Sequence, residues 1–88
     1  MEDFALLRFK PHENLKHGTR ATYTYPNRWG VSVITGGYGR EDAPYELAIV
    51  HPDGGLCYNT VITSDVEGYL TAFDVDCLMK QVSELEEV

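Results

Sequence analysis

The sequence predicts an α+β fold, an antiparallel β-meander of three to five strands packed against one C-terminal amphipathic α-helix. Three stretches carry that reading. From Arg20 to Tyr25, the residues Ala21, Tyr23 and Tyr25 alternate with Thr22 and Thr24, the two-residue period of a strand with one buried face. Two further β-rich runs, 45–50 and 56–62, are joined by His51-Pro52-Asp53-Gly54-Gly55, in which proline presets a turn φ and glycine supplies a positive one. From residue 71 the period becomes helical: Val75, Leu78, Met79, Val82 and Leu85 fall within an arc of about 120° on a helical wheel.

The elements follow in order. Residues 3–9, apolar at Phe4, Ala5, Leu6, Leu7 and Phe9, are predicted as a short buried strand, and residues 10–19, with Pro11, Asn14 and Gly18 among charges, as a loop. This segment, 1–19, is a peripheral part of a single domain spanning 1–88. Pro26-Asn27 turns the chain into a strand at 29–35, rich in β-branched residues, which ends at Gly36-Gly37-Tyr38-Gly39. Short connections make neighbouring strands antiparallel, because a parallel return needs a crossover of roughly a dozen residues or more. The helix start is marked by Thr71 as cap, by Asp74 at capping-box spacing, and by Leu70 with Val75 as a hydrophobic staple. Asp76, Lys80 and Glu84 are assigned to its water side, and Phe73 and Cys77 also point away from the apolar stripe.

A chain of 88 residues builds one hydrophobic core, and 43% hydrophobic with 24% charged residues is the composition of a folded domain. The net charge of −7 is unevenly distributed. Residues 1–28 hold Arg8, Lys10, Lys16, Arg20 and Arg28 against three carboxylates, whereas from Glu41 onward Lys80 is the single base among eleven carboxylates. A net-acidic surface repels nucleic acid and anionic lipid, so the expected partners are proteins, with no direct nucleic acid and no membrane. The start lacks the basic and apolar regions of a signal peptide, and no apolar run reaches about 18 residues, which predicts a cytoplasmic location. Cys57 and Cys77 read as reduced thiols in that compartment.

The strings that invite a chemical reading are incomplete. His12-Glu13-Asn14-Leu15-Lys16-His17 resembles the zinc-peptidase helix motif with one residue too many, and ligands at i and i+5 lie about 140° apart. The glycines at 36, 37 and 39 lack the Lys-Ser/Thr of a phosphate-binding loop and the helix of a dinucleotide site. Cys57 has no local base with an oxyanion site, and the acidic pairs Asp65/Glu67 and Asp74/Asp76 lack the ligand number of a calcium loop. The expectation is therefore no catalytic residue, no metal and no cofactor. One helix covers one sheet face, so surplus aromatics imply a docking surface. Its predicted members are Tyr23, Tyr25 and Trp29 on the uncovered sheet face, Tyr38 and Arg40 on the glycine-rich loop, and Phe73, Asp76 and Glu84 on the outer helix.

The strings Trp29-Gly30-Val31-Ser32-Val33, Tyr45-Glu46-Leu47-Ala48-Ile49-Val50, Leu56-Cys57-Tyr58-Asn59-Thr60 and the run from Ile62 to Thr71 carry a resemblance to small uncharacterised proteins of tailed bacteriophages, over roughly residues 29–82. The resemblance is one of strands, hairpin and helix cap, with no catalytic residue to transfer. It implies a host bacterial cytosol as the setting. The function expected from it is that of an accessory protein that binds and modulates or inhibits a host protein, a defence system or a metabolic enzyme. The alternatives are an acidic nucleic-acid mimic blocking a nuclease, a small ligand-binding or enzymatic domain using His51, Cys57 and Tyr58, and a structural homo-oligomer, including a homodimer through the open sheet face.

Overall fold

The computed structural model describes residues 1–14, 17–37, 40–57 and 67–87. Its centre is three antiparallel strands, β2 (Thr19–Thr24), β3 (Gly30–Ile34) and β4 (Tyr45–Val50), with β1 (Lys10–Pro11) added at the β2 edge. The far edge of β4 is shared. β5 (Leu56–Cys57) pairs with Ile49 and Val50, and β6 (Glu67–Leu70) pairs with Tyr45 and Leu47, so the two short strands lie end to end along one neighbour. The helix α1 (Ala72–Ser83) covers one face. This is the α+β meander and helix that the periodicities predict.

Register explains why these strands hold. On one face the rows run Ala21–Val33–Leu47 and Tyr23–Val31–Ile49 across β2, β3 and β4. Against them α1 sets Val75, Met79 and Val82, and Val31, Val33, Leu47, Ile49 and these three are all at most 1% exposed. Each such side chain contributes about 1.5–3 kcal/mol of burial, so this layer dominates the stability of the domain. Leu78, Leu85 and Leu70 pack around its margin, which completes the predicted helix stripe.

The helix begins as its sequence dictates. The Thr71 backbone N–H donates to Asp74 Oδ2 at 2.9 Å and the Asp74 N–H to Thr71 Oγ1 at 3.1 Å, a reciprocal capping box. Its C-terminus is held from the sheet side. Asn27, in the turn between β2 and β3, donates from Nδ2 to the carbonyls of Val82 and Leu85, each at 3.0 Å, and satisfies acceptors that a helix end leaves open. The same turn places Arg28 at φ 77°. In the β4–β5 hairpin the His51 N–H meets the Gly55 carbonyl at 2.7 Å, with Gly54 at φ 95°. Gly36 is at φ 89°, and a Cβ there would lie 2.8 Å from the Gly18 Cα, so both conformation and space demand glycine.

Several expectations are corrected. Residues 3–9 do not form a strand: Phe4–Leu6 is a single 3-10 turn, because the Phe4 N–H is claimed by Asp76 of α1 at 2.7 Å rather than by a neighbouring strand. Within the predicted loop, Lys10–Pro11 pairs with β2. Of the predicted strand 56–62, Leu56 and Cys57 are β5, and residues 58–62 lie outside the described residues. The strand Glu67–Leu70 was not predicted; its Tyr69 sits at φ 55°, a conformation that breaks any simple alternation.

Candidate interaction surface

A strand shows its two faces in turn, so the residues between the core positions line the opposite side of the sheet. That side carries no helix among the described residues. Its first row is Lys10–Arg20–Ile34–Glu46, its second Thr22–Ser32–Ala48, and its third Thr24–Gly30–Val50–Leu56. Gly30 and Ser32 of the middle strand are small, and a shallow concavity of about 580 Å³ lies over them, lined by Thr22, Thr24, Ser32, Ala48, Val50 and Leu56 among others. Leu56 is 48% exposed. Ser32 is 9% exposed, on the concavity floor, and among the described residues its hydroxyl has no hydrogen-bond partner. Its oxygen still reaches solvent, because no buried side-chain nitrogen or oxygen among the described residues is left without a partner.

The β1 end of the face is cationic. Leu7 and Phe9 turn inward to the core, and Arg8, Lys10 and His12 together with Arg20 border a second concavity of about 390 Å³. Lys10 stands directly opposite Arg20 in the β1–β2 register. Like charges at such a pair are destabilising, and among the described residues neither makes an ion pair. Arg8 is tied locally, donating to the carbonyls of Ala5 at 2.8 Å and Leu7 at 3.2 Å. Pro11 removes a donor from the outer edge of β1, which blunts edge-to-edge strand addition there. Two unneutralised cations on a chain of net charge −7 therefore belong to the face rather than to the edge.

The predicted site residues separate into groups. Tyr25 and Trp29 are in the core, at 7% and 9% exposure, not on the open face. Tyr23 is half-buried beside Tyr25, their ring centroids 5.0 Å apart. The cause is register: Tyr23 lies across from Val31 and shares its helix-covered face. The Tyr25 hydroxyl donates to Asp3 at 2.7 Å, and Trp29 Nε1–H donates to the Glu86 carbonyl at 2.9 Å. Asp76 is also misplaced by the wheel, being 3% exposed under the N-terminal turn. Phe73, at 65% exposure, and Glu84 are outside as predicted. Arg40 is exposed, 3.4 Å from Asp42, with its guanidinium 5.9 Å from the Tyr69 ring centroid. Tyr38 lies outside the described residues, as do Tyr58 and Asp65.

Asp3, half-buried, and Asp76, buried, are both tied to Lys80. Lys80 Nζ donates to Asp3 at 2.9 Å and lies 3.8 Å from Asp76. Burial pushes the Asp3 carboxyl up, but the Tyr25 hydroxyl and the Lys80 ammonium outweigh it and hold the pKa below the usual carboxylate value. Burial, followed by Asp3, raises the Tyr25 phenol well above its ordinary range. His51, considered above as a site residue, stands edge-on to Trp29 at 4.9 Å and accepts the Asp53 N–H at 3.1 Å. His12 accepts the Asn14 N–H through Nδ1 at 3.0 Å. No group of three His, Cys, Asp or Glu able to hold a metal ion occurs among the described residues, and no helix there is long and apolar enough to cross a membrane.

Sequence reasoning did not single out the residues that line this face, Lys10, Arg20, Thr22, Thr24 and Ser32. The alternation in β2 already placed the threonines opposite the tyrosines; what it lacked was the register that says which side the helix takes. Fold and face together define a class, a two-layer α+β domain presenting an uncovered sheet face with a cationic margin. No protein-family model, curated protein or solved structure matches the chain.

Proposed function

We propose that this protein is an interaction module that binds a partner protein on the open face of its sheet. The observation that supports this is the second row of that face: Thr22, Ser32 and Ala48 lie side by side along a concavity of about 580 Å³ on the side of the sheet opposite the helix. Around it the face mixes apolar and hydroxyl side chains, the composition of a non-obligate interface, and the cations at its margin select a partner that presents carboxylates beside an apolar patch. Taken with the phage-like strings of residues 29–82, the partner we propose is a host bacterial protein whose activity the module modulates. The carboxylate-rich remainder of the surface serves solubility and selectivity under this reading. Nucleic-acid mimicry is ranked lower, because the bare face is its least acidic part.

The test is affinity capture from bacterial lysate with wild-type protein and with Thr24→Lys, which sets an ammonium into the concavity. The expected result is a captured protein that is retained by wild type, is lost with the variant, and binds again when purified. Equal capture by both proteins overturns the assignment of the face. Capture that Thr24→Lys leaves intact and that vanishes for both proteins at 0.5 M salt instead favours the mimic, whose contacts are purely ionic.

A further inference from the structure

We infer that, in the absence of that partner, the open face is occupied by a second copy of this chain, in a symmetric sheet-on-sheet dimer. This rests on the reading of the face as the working surface and adds what covers it at rest. The first row, Arg20–Ile34–Glu46, places an unpaired cation and an unpaired anion on β2 and β4, one strand to either side of β3. A twofold axis running parallel to the strands above β3 exchanges β2 of one copy with β4 of the other at the same level. Arg20 then stands over Glu46 of the second copy, and Glu46 over its Arg20.

The remaining rows obey the same operation. Ile34 meets Ile34, Thr22 meets Ala48, and Thr24 meets Val50, so hydroxyl-bearing β2 lies on apolar β4 in both directions. Ser32 faces Ser32 across the axis, so the smallest side chains meet at the centre of the second row. Strand directions stay aligned, the arrangement in which sheets stack at about 10 Å with their natural twist. Charge complementarity thus follows from register and symmetry alone, and each contact occurs twice. The face is roughly 20 Å across and 17 Å along the strands. Such an area, about 700 Å² over both copies, lies below the range of stable specific complexes, so the dimer is weak and reversible and a better-fitting partner displaces it.

The experiment is sedimentation equilibrium of the full chain from about 5 µM to 1 mM, which reaches the concentrations at which a weak dimer forms. The wild type is expected to rise with concentration toward twice the 9.9 kDa chain mass. Arg20→Glu alone and Glu46→Arg alone each oppose like charges at both symmetric contacts and are expected to weaken association at least tenfold, while an equimolar mixture of the two recovers the dimer as a heterodimer. Thr24→Lys, with native circular dichroism, is expected to stay monomeric. A wild type that stays monomeric throughout, single variants that associate as the wild type does, or a mixture that fails to recover each overturns the dimer. A monomeric wild type that still captures its partner in a Thr24-dependent way refutes this inference and leaves the proposed function standing; an intact dimer with no Thr24-dependent capture does the reverse.

Discussion

The Asp76 carboxylate accepts the backbone N–H of Phe4 at 2.7 Å, joining residues 72 apart in sequence. Through this contact the first turn of the chain closes over the helix flank, and an acid that the wheel assigns to solvent becomes 3% exposed. On the wheel Asp76 is only about 60° from Met79, so a short N-terminal segment suffices to cover it. Asp76→Ala strands the Phe4 N–H and leaves Lys80 with one carboxylate fewer, and a loss of about 2–4 kcal/mol is expected. Asp76→Asn keeps an acceptor and costs about half as much. Urea unfolding midpoints at constant slope measure both.

Tyr25 and Asp3 make stability depend on pH at both ends. The folded-state pKa of Tyr25 is raised, so its contribution is complete below the unfolded phenol value of about 10 and is lost as pH rises beyond it. The folded pKa values of Asp3 and Asp74 are lowered, so theirs is present above about pH 4 and is lost as pH falls below that. Tyr25→Phe is expected to cost about 1–2 kcal/mol near neutrality, through the lost bond to Asp3, and to flatten the decline above pH 10. Thermal unfolding of both proteins from pH 6 to 11 checks the sign and the window.

The capping box gives a milder expectation. Thr71→Ala removes the Oγ1 acceptor of the Asp74 N–H at 3.1 Å and is expected to destabilise the domain by about 1 kcal/mol. For a domain of this size that corresponds to a melting shift of about 4–8 °C. Thr71→Ser, which keeps the acceptor, is expected to lie close to wild type.

At Gly36, alanine meets both a positive φ and the Gly18 backbone 2.8 Å from its Cβ. A loss of about 1–3 kcal/mol is expected from strain there. Gly54→Ala is the control, because its φ is also positive but nothing lies within 4 Å of the added carbon. The difference between the two melting temperatures isolates the cost of the close approach.

Periodicity reached the elements whose partners are local. The alternation of Ala21, Tyr23 and Tyr25, the His51–Gly55 turn and the Thr71–Asp74 cap each record a contact within a few residues, and each is present in the structure. What escaped depends on pairing at long range. Tyr25 and Trp29 are in the core because Asp3 holds the Tyr25 hydroxyl and the chain just beyond α1, at Glu86, accepts the Trp29 indole N–H, and no local pattern distinguishes that from a bare face. Asp76 is buried by a segment some 70 residues upstream. The Lys10–Arg20 pair needed β1 to be recognised, and two residues, one of them proline, leave almost no strand signal. The same limit applies to the open face. Large aromatics attract a functional reading, yet here they fill the core, while threonines, a serine and two cations line the open side.

The proposed docking surface is the open sheet face and not the outer side of the helix. Titration of the purified captured partner against two variants, Thr22→Lys/Val50→Lys on the sheet and Phe73→Ser/Glu84→Lys on the helix, separates them under identical salt. The expected result is at least a hundredfold loss of affinity for the sheet variant and a change within threefold for the helix variant. The reverse pattern, with the sheet variant binding as wild type and the helix variant losing affinity, contradicts the account.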